Sequence, residues 1–347
     1  MKKGGLLILK IVFSVGILVY IFTRVVHIGD LWANLREATA SYLIAAVAMY
    51  FVVQTLSAYR WYLLLKPLDI NIGFRKTLSL YYLGMYFNFF LPSAIGGDVF
   101  KVYYLHKATG RLSASTASVF LDRDVGMAGL LLSGTVVAAY GGTRIPPENG
   151  VLLAPLFALI GVAFILANLA LFYRRTYNLL HRLLCVFRMK RADEKVERLF
   201  DSVNSYRGKW GLGANTLIIS LGVQIGCAFV NMLAAASIGM QTKHGWIDYM
   251  VFIPTLGLIG MIPLSVNGAG WREASYILLF QSVGAEAHQA AALSLLWLGI
   301  LVITSLPGGM IYLARRDRAS EKKDTDESRG LGAPLAPTRE KEPVSTI

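Results

Sequence analysis

A succession of apolar runs constrains this chain more than any other feature. A helix that crosses a bilayer needs about 20 mostly apolar residues, and hydrocarbon, which cannot hydrogen-bond a bare backbone, favours helices throughout. Runs of that kind occupy roughly 5–25, 41–65, 113–140, 151–173, 214–239 and 288–313. Two pairs of shorter runs, roughly 74–91 with 92–107 and 246–263 with 264–284, fall between them. Only 16% of the 347 residues are charged, against about 25% in soluble domains, which excludes an ordinary cytosolic enzyme. The expected fold is an all-α polytopic membrane protein with about six spanning helices and two Pro/Gly-broken re-entrant hairpins.

Lys2 and Lys3 lead into the first run as they would in a signal peptide. The run is too long for such a segment's apolar core and lacks a small-x-small cleavage site, so it is read as a spanning helix. After it, 27–40 reads as an amphipathic connector with Ile28, Leu31, Trp32 and Leu35 on one stripe. Basic residues outnumber acidic ones 34 to 21, for a net charge of +13. In a membrane chain that surplus orients the protein and attracts anionic lipid, with no nucleic acid implied. With both hairpins re-entrant, the inner segments hold Lys2 and Lys3; Arg60, Lys66, Arg75 and Lys76; Lys101, Lys107 and Arg111; the insertion 174–213, with ten Lys/Arg against four acids; and Arg315, Arg316 and Arg318. The outer loops keep Arg24, Arg36, Arg144 and Lys243. Both termini are therefore expected in the cytoplasm, with residues 1–313 as a single transmembrane domain and 314–347 as a disordered tail.

Cys185 and Cys227 cannot make a disulfide framework, and the five histidines lack metal-ligand spacing. No Walker sequence is present. Neither a metal nor another cofactor is expected.

The two interrupted pairs share a pattern at an offset of 171 residues. Leu91-Pro92-Ser93-Ala94-Ile95-Gly96-Gly97-Asp98-Val99-Phe100-Lys101 aligns with Ile262-Pro263-Leu264-Ser265-Val266-Asn267-Gly268-Ala269-Gly270-Trp271-Arg272, with Pro, a β-branched residue, Gly, an aromatic and a cation in register. Proline removes a backbone donor and glycine admits unusual dihedrals, so both segments should unwind there. One enters from the inner side and the other from the outer, the signature of an inverted repeat of four elements per half, here 1–140 and 150–313. Broken segments at corresponding positions point to a transporter's substrate site.

Ionisable residues inside apolar segments cost on the order of 3 kcal/mol each and face protein or water. Asp98 and Lys101 follow the first break, Arg272 and Glu273 the second, and Asp122-Arg123-Asp124 lies within the 113–140 run. Lys101, Arg123 and Arg272 would supply positive charge to an anionic headgroup, with Asp98, Asp122 and Glu273 orienting them or meeting a cationic group. Asn88 stands four residues before Pro92 and joins the first break, whereas Gln54, Gln224 and Asn231 read as packing groups.

Asn88-Phe89-Phe90-Leu91-Pro92-x-x-Ile95-Gly96-Gly97-Asp98, followed by Asp122-Arg123-x-x-Gly126, resembles the flippase-like transmembrane domain of the lysylphosphatidylglycerol synthase family. Pro263-x-Ser265-x-Asn267-Gly268-x-Gly270-x-Arg272-Glu273 is similar to that family's second motif, and the likeness runs over 5–313. The resemblance implies lipid translocation between leaflets of a bacterial or archaeal cytoplasmic membrane. Two-domain members add a soluble aminoacyl-transferase domain, for which no room follows Leu313, so only the membrane half is implied. Lys101 stands where many relatives carry Arg, which weakens the case for a bidentate phosphate contact there.

The expected function is therefore that of a lipid flippase rather than an enzyme, moving an anionic or aminoacylated phospholipid or a polyprenyl-phosphate-linked lipid. Its expected partners are the anionic inner leaflet, the lipid substrate and a lipid- or glycan-modifying enzyme, and an oligomer is compatible with the pattern. Two alternatives stand beside it. One is an integral-membrane transferase using Asp98, Asp122 or Glu273 as base or metal ligand. The other is a membrane scaffold recruiting a partner through the basic insertion.

Overall fold

A computed structural model describes residues 14–26, 28–90, 96–141, 153–172, 200–261 and 268–330. Among them every regular element is helical. The chain builds α1 (Ser14–Val25), α2 (Ile28–Arg36), α3 (Ala40–Leu65), α4 (Phe74–Phe90), α5 (Gly96–Thr109), α6 (Leu112–Gly141), α7 (Leu153–Phe172), α8 (Trp210–Ser237), α9 (Trp246–Met261), α10 (Trp271–Gln281) and α11 (Ala287–Gly330).

Among the described residues, three helices are long and apolar enough to cross a membrane on their own: Ala40–Leu68, Trp210–Ser237 and Ala287–Ala314. A fourth is counted if α1 and α2, which meet at 90°, act as one bent span. This is fewer than the sequence suggests, and the reasons are local. Charges interrupt α6 at Asp122-Arg123-Asp124, the first run is described only from Ser14, and the apolar stretch of α7 is the short Phe157–Leu169. The four hairpin helices hold 17, 14, 16 and 11 residues, so at about 1.5 Å per residue none reaches the roughly 30 Å of a hydrocarbon core.

The connections follow from their residues. After α3, Pro67 sits in a 3-10 turn and Asp69 takes a left-handed conformation, φ 52°, which redirects the chain into α4. α1 ends in a π-wound turn, Ile21–Val25. In α2 the expected apolar stripe is divided, with Leu31 buried and Ile28 and Trp32 exposed. α11 continues to Gly330, into the stretch that the sequence assigns to a tail, through a run rich in the helix formers Ala, Arg, Glu and Lys.

The packing is reciprocal. α3 lies along α8; α4 packs on α3, α5 and α11; and α9 packs on α8, α10 and α6. α5 meets α6 as α10 meets α11, while α7 packs on α6 and α2 on α11. Small residues make the seams close. A Cβ at Gly308 would fall 2.1 Å from the Tyr82 carbonyl oxygen, one at Gly226 2.5 Å from Val53, and one at Gly129 2.5 Å from Ser220. Three apolar clusters result among the described residues. One gathers α8–α11 with α1, α2 and the N-terminal half of α3, the second gathers the end of α3 with α4, α5 and the start of α6, and a small third joins Leu130 and Leu131 of α6 to Phe157 of α7.

Candidate functional site: two broken hairpins and their charges

The helices on either side of each break pack against one another, α4 on α5 and α9 on α10. In the first, α4 and α5 approach at Gly84 and Gly97, where a Cβ on Gly97 would stand 1.9 Å from the Gly84 carbonyl oxygen. Asn88, near the end of α4, accepts the Gly97 N–H at 2.7 Å and so satisfies one of the free amides that open α5. Phe100 stacks flat on Phe87, with centroids 3.7 Å apart. Past this neck the Lys101 stem crosses Gly84, whose missing side chain leaves it room.

Lys101 ends inside a buried ionic cluster drawn from several helices. Its ammonium is 3.8 Å from Asp98 Oδ1 and 4.0 Å from Asp122 Oδ2, and stands 3.9 Å from the Tyr81 ring centroid and 5.3 Å from that of Trp61. Asp122 is held from α3, because Arg60 directs both Nε and NH2 at Oδ1, each at 2.9 Å. Arg60 NH1 donates to Ser220 Oγ of α8 at 2.8 Å. Arg123 Nε donates to Asp98 Oδ2 at 2.7 Å, with its side chain half exposed. Among the described residues, Arg60, Lys101 and Arg123 thus gather around the carboxylates of Asp98 and Asp122, in a place where solvation is poor. Asp124 points elsewhere and accepts the Asn168 amide of α7 at 3.1 Å.

The second break is simpler. Gly268 and Gly270 take φ values of 77° and 80°, conformations that suit glycine. Glu273 reaches back to accept the Gly270 N–H at 2.6 Å, and its other oxygen takes Arg272 NH2 at 2.5 Å. Ser294 of α11 lies 3.4 Å from both partners. Trp271 Nε1 donates to the Ile259 carbonyl across the hairpin, and Tyr276 OH donates to Asn231 Oδ1 at 2.9 Å. One cation meets one carboxylate here, so the charges balance.

Of the residues expected from sequence, Asn88, Gly96, Gly97, Asp98, Lys101, Asp122 and Arg123 come together at the first break, and Gly268, Gly270, Arg272 and Glu273 at the second. Pro92, Pro263 and Asn267 lie outside the described residues. Arg60 is placed differently from its expected position among the inner-face cations: it is buried, 6% exposed, in the body of α3. Its location within the 41–65 run was the available signal, because an Arg inside an apolar helix requires a partner. Ser220, Tyr81 and Trp61 carry no such signal. No group of three or more His, Cys, Asp or Glu that could hold a metal occurs among the described residues.

The family described as "Lysylphosphatidylglycerol synthase TM region" matches residues 7–308. Two similar proteins are UPF0104 membrane proteins of archaea. The Pyrococcus horikoshii protein is 24% identical over 321 residues, covering 81% of this chain and 89% of its own length. The Methanocaldococcus jannaschii protein is 23% identical over 350 residues, covering 95% and 98%. No solved structure matches the chain significantly.

Proposed function

The chain belongs to the lysylphosphatidylglycerol synthase TM-region family of multi-pass membrane proteins, and from that premise we propose that it is a lipid translocase for an amphipathic lipid with an anionic or aminoacylated headgroup. The observation that carries the reading is the largely buried ionic cluster beside the first break, which draws Arg60, Lys101 and Arg123 together with Asp98 and Asp122 and has Arg123 half exposed at its edge. A phosphate is a chemically apt guest for a guanidinium, whose planar fork can bind two oxygens. The lipid tails would stay in the bilayer while the headgroup passes near the two hairpin tips.

Two further features support this reading. Exchanging α3–α6 with α8–α11 carries the described packing pairs onto one another: α4 on α11 becomes α9 on α6, and α3 on α6 becomes α8 on α11. The aromatic after each break also folds back onto the preceding helix, Phe100 onto Phe87 and Trp271 onto Ile259. An inverted repeat of halves 1–140 and 150–313, with re-entrant hairpins and both termini cytoplasmic, accounts for these correspondences, and rocking of one half against the other would give alternating access.

The test is lipid exchange in proteoliposomes with labelled phosphatidylglycerol, lysyl-phosphatidylglycerol, a polyprenyl phosphate and phosphatidylcholine. The protein should accelerate exchange of at least one of the first three over phosphatidylcholine, and Arg123→Ala should slow it about tenfold, in line with losing a charge-assisted contact. No acceleration of any charged lipid rejects translocation.

A further inference from the structure

We infer that Arg60 is the positioning residue of the first cluster and that its hydrogen bond to Ser220 is a tie between the two halves, made in the state seen here and broken when they rock. The inference rests on the translocase reading above, and it concerns a residue buried between helices.

Arg60 is buried on three sides by a seat shaped for it. Its guanidinium lies over Gly126 of α6, where a Cβ would come within 3.3 Å of NH1 and NH2. Ser220 packs against Gly129, one turn further along α6, and donates its own proton to the Thr216 carbonyl at 2.9 Å, which leaves its lone pairs for Arg60 NH1. Three helices therefore converge on one side chain: α3 and α6 from one half, α8 from the other. The two contacts differ in kind. The link to Asp122 is a buried ion pair within one half, costly to break, whereas the link to Ser220 is a single hydrogen bond to a neutral hydroxyl across the halves. A movement of the halves would spare the first and sever the second.

Arg60 also sets the rest of the cluster. With both of its nitrogens on Asp122 Oδ1, Oδ2 is left facing Lys101 at 4.0 Å, so the ammonium is shared with Asp98 and held against Tyr81. Lysine cannot reproduce this, because a single ammonium lacks the fork that reaches Asp122 and Ser220 together.

The experiment uses the full chain in a Cys185→Ser, Cys227→Ala background with spin labels at Leu112→Cys and Gly213→Cys, at the starts of α6 and α8. Distance distributions, lipid exchange and melting temperature are measured together. Ser220→Ala should melt within a few degrees of the parent, shift the distance distribution and change the exchange rate at least threefold, with the half-saturating lipid fraction unchanged. Arg60→Lys should shift the distribution in the same direction. The pair Arg60→Gln with Asp122→Asn, which removes both buried charges at once, should fold and show the same shift. Parental distributions in both Ser220→Ala and Arg60→Lys overturn the tie. If the parent moves no lipid while Ser220→Ala still shifts the distribution, the translocase reading falls and the tie stands.

Discussion

The two helix pairs that flank the breaks, α4 with α5 and α9 with α10, differ in their electrostatics. At the second break the cation and its acid are adjacent in sequence, Arg272 and Glu273, and the acid also caps its own helix through Gly270. At the first, Lys101 depends on Asp98 one turn away and on Asp122 of another helix, itself held by Arg60 of a third. The second break is therefore a self-contained local unit, whereas the first is where separate helices are bound to one another. The work of the two helix pairs is therefore divided: α9 and α10 carry a local ion pair, and α4 and α5 gather cations and carboxylates from separate helices.

The sharpest way to break the comparison is at the glycines. Gly97→Ala would place a Cβ 1.9 Å from the Gly84 carbonyl, a backbone atom that cannot swing aside, and would disturb the amide that Asn88 accepts. A cost of about 3 kcal/mol is expected, the upper range for forced overpacking. Gly268→Ala meets nothing closer than Arg272 Cβ at 3.8 Å and bears only the strain of its positive φ, roughly 1–2 kcal/mol. Thermal melts of the two variants in one detergent check the order; equal losses would mean that the first neck is not a close-packed seam.

These differences also explain what could be read from sequence. The acid beside Arg272 and the place of Asn88 near the end of α4 were legible because each is local: an adjacent pair, and a polar residue one turn before a proline. Arg60 was not. It lies 62 residues from Asp122 and 160 from Ser220, and its place near the C-terminal end of α3, beside Lys66, Arg75 and Lys76 in sequence, groups it with the orienting cations. The 90° turn between α1 and α2 and the aromatic bed of Lys101 are likewise products of packing, with no periodicity in the chain to announce them.

Removing the acids is expected to have a smaller effect, and one that separates a local pair from a network. Glu273→Gln strips Arg272 of this counter-charge and weakens the cap on α10, for about 2 kcal/mol, less than the roughly 3–5 kcal/mol of a broken buried pair because Ser294 and the amide of Gln remain beside it. Asp98→Asn should cost about 1 kcal/mol, since Lys101 keeps Asp122 and Arg123 is half exposed. The reverse ranking in melting temperature would show that the first cluster has no redundancy.

The smallest effect is expected where the second half is neutral in place of charged. Asn231 stands 171 residues after Arg60, the offset that aligns the two breaks, and there a Tyr276 hydroxyl, not a carboxylate, supplies the partner. Tyr276→Phe removes one neutral hydrogen bond and leaves Asn231 Oδ1 buried without its donor, worth about 1 kcal/mol. Because both residues belong to the second half, the loss should lower the melting temperature by a few degrees without altering lipid exchange. A change in exchange rate matching that of Ser220→Ala would mean that both halves carry a moving polar contact, and the division of work between the hairpins would have to be given up.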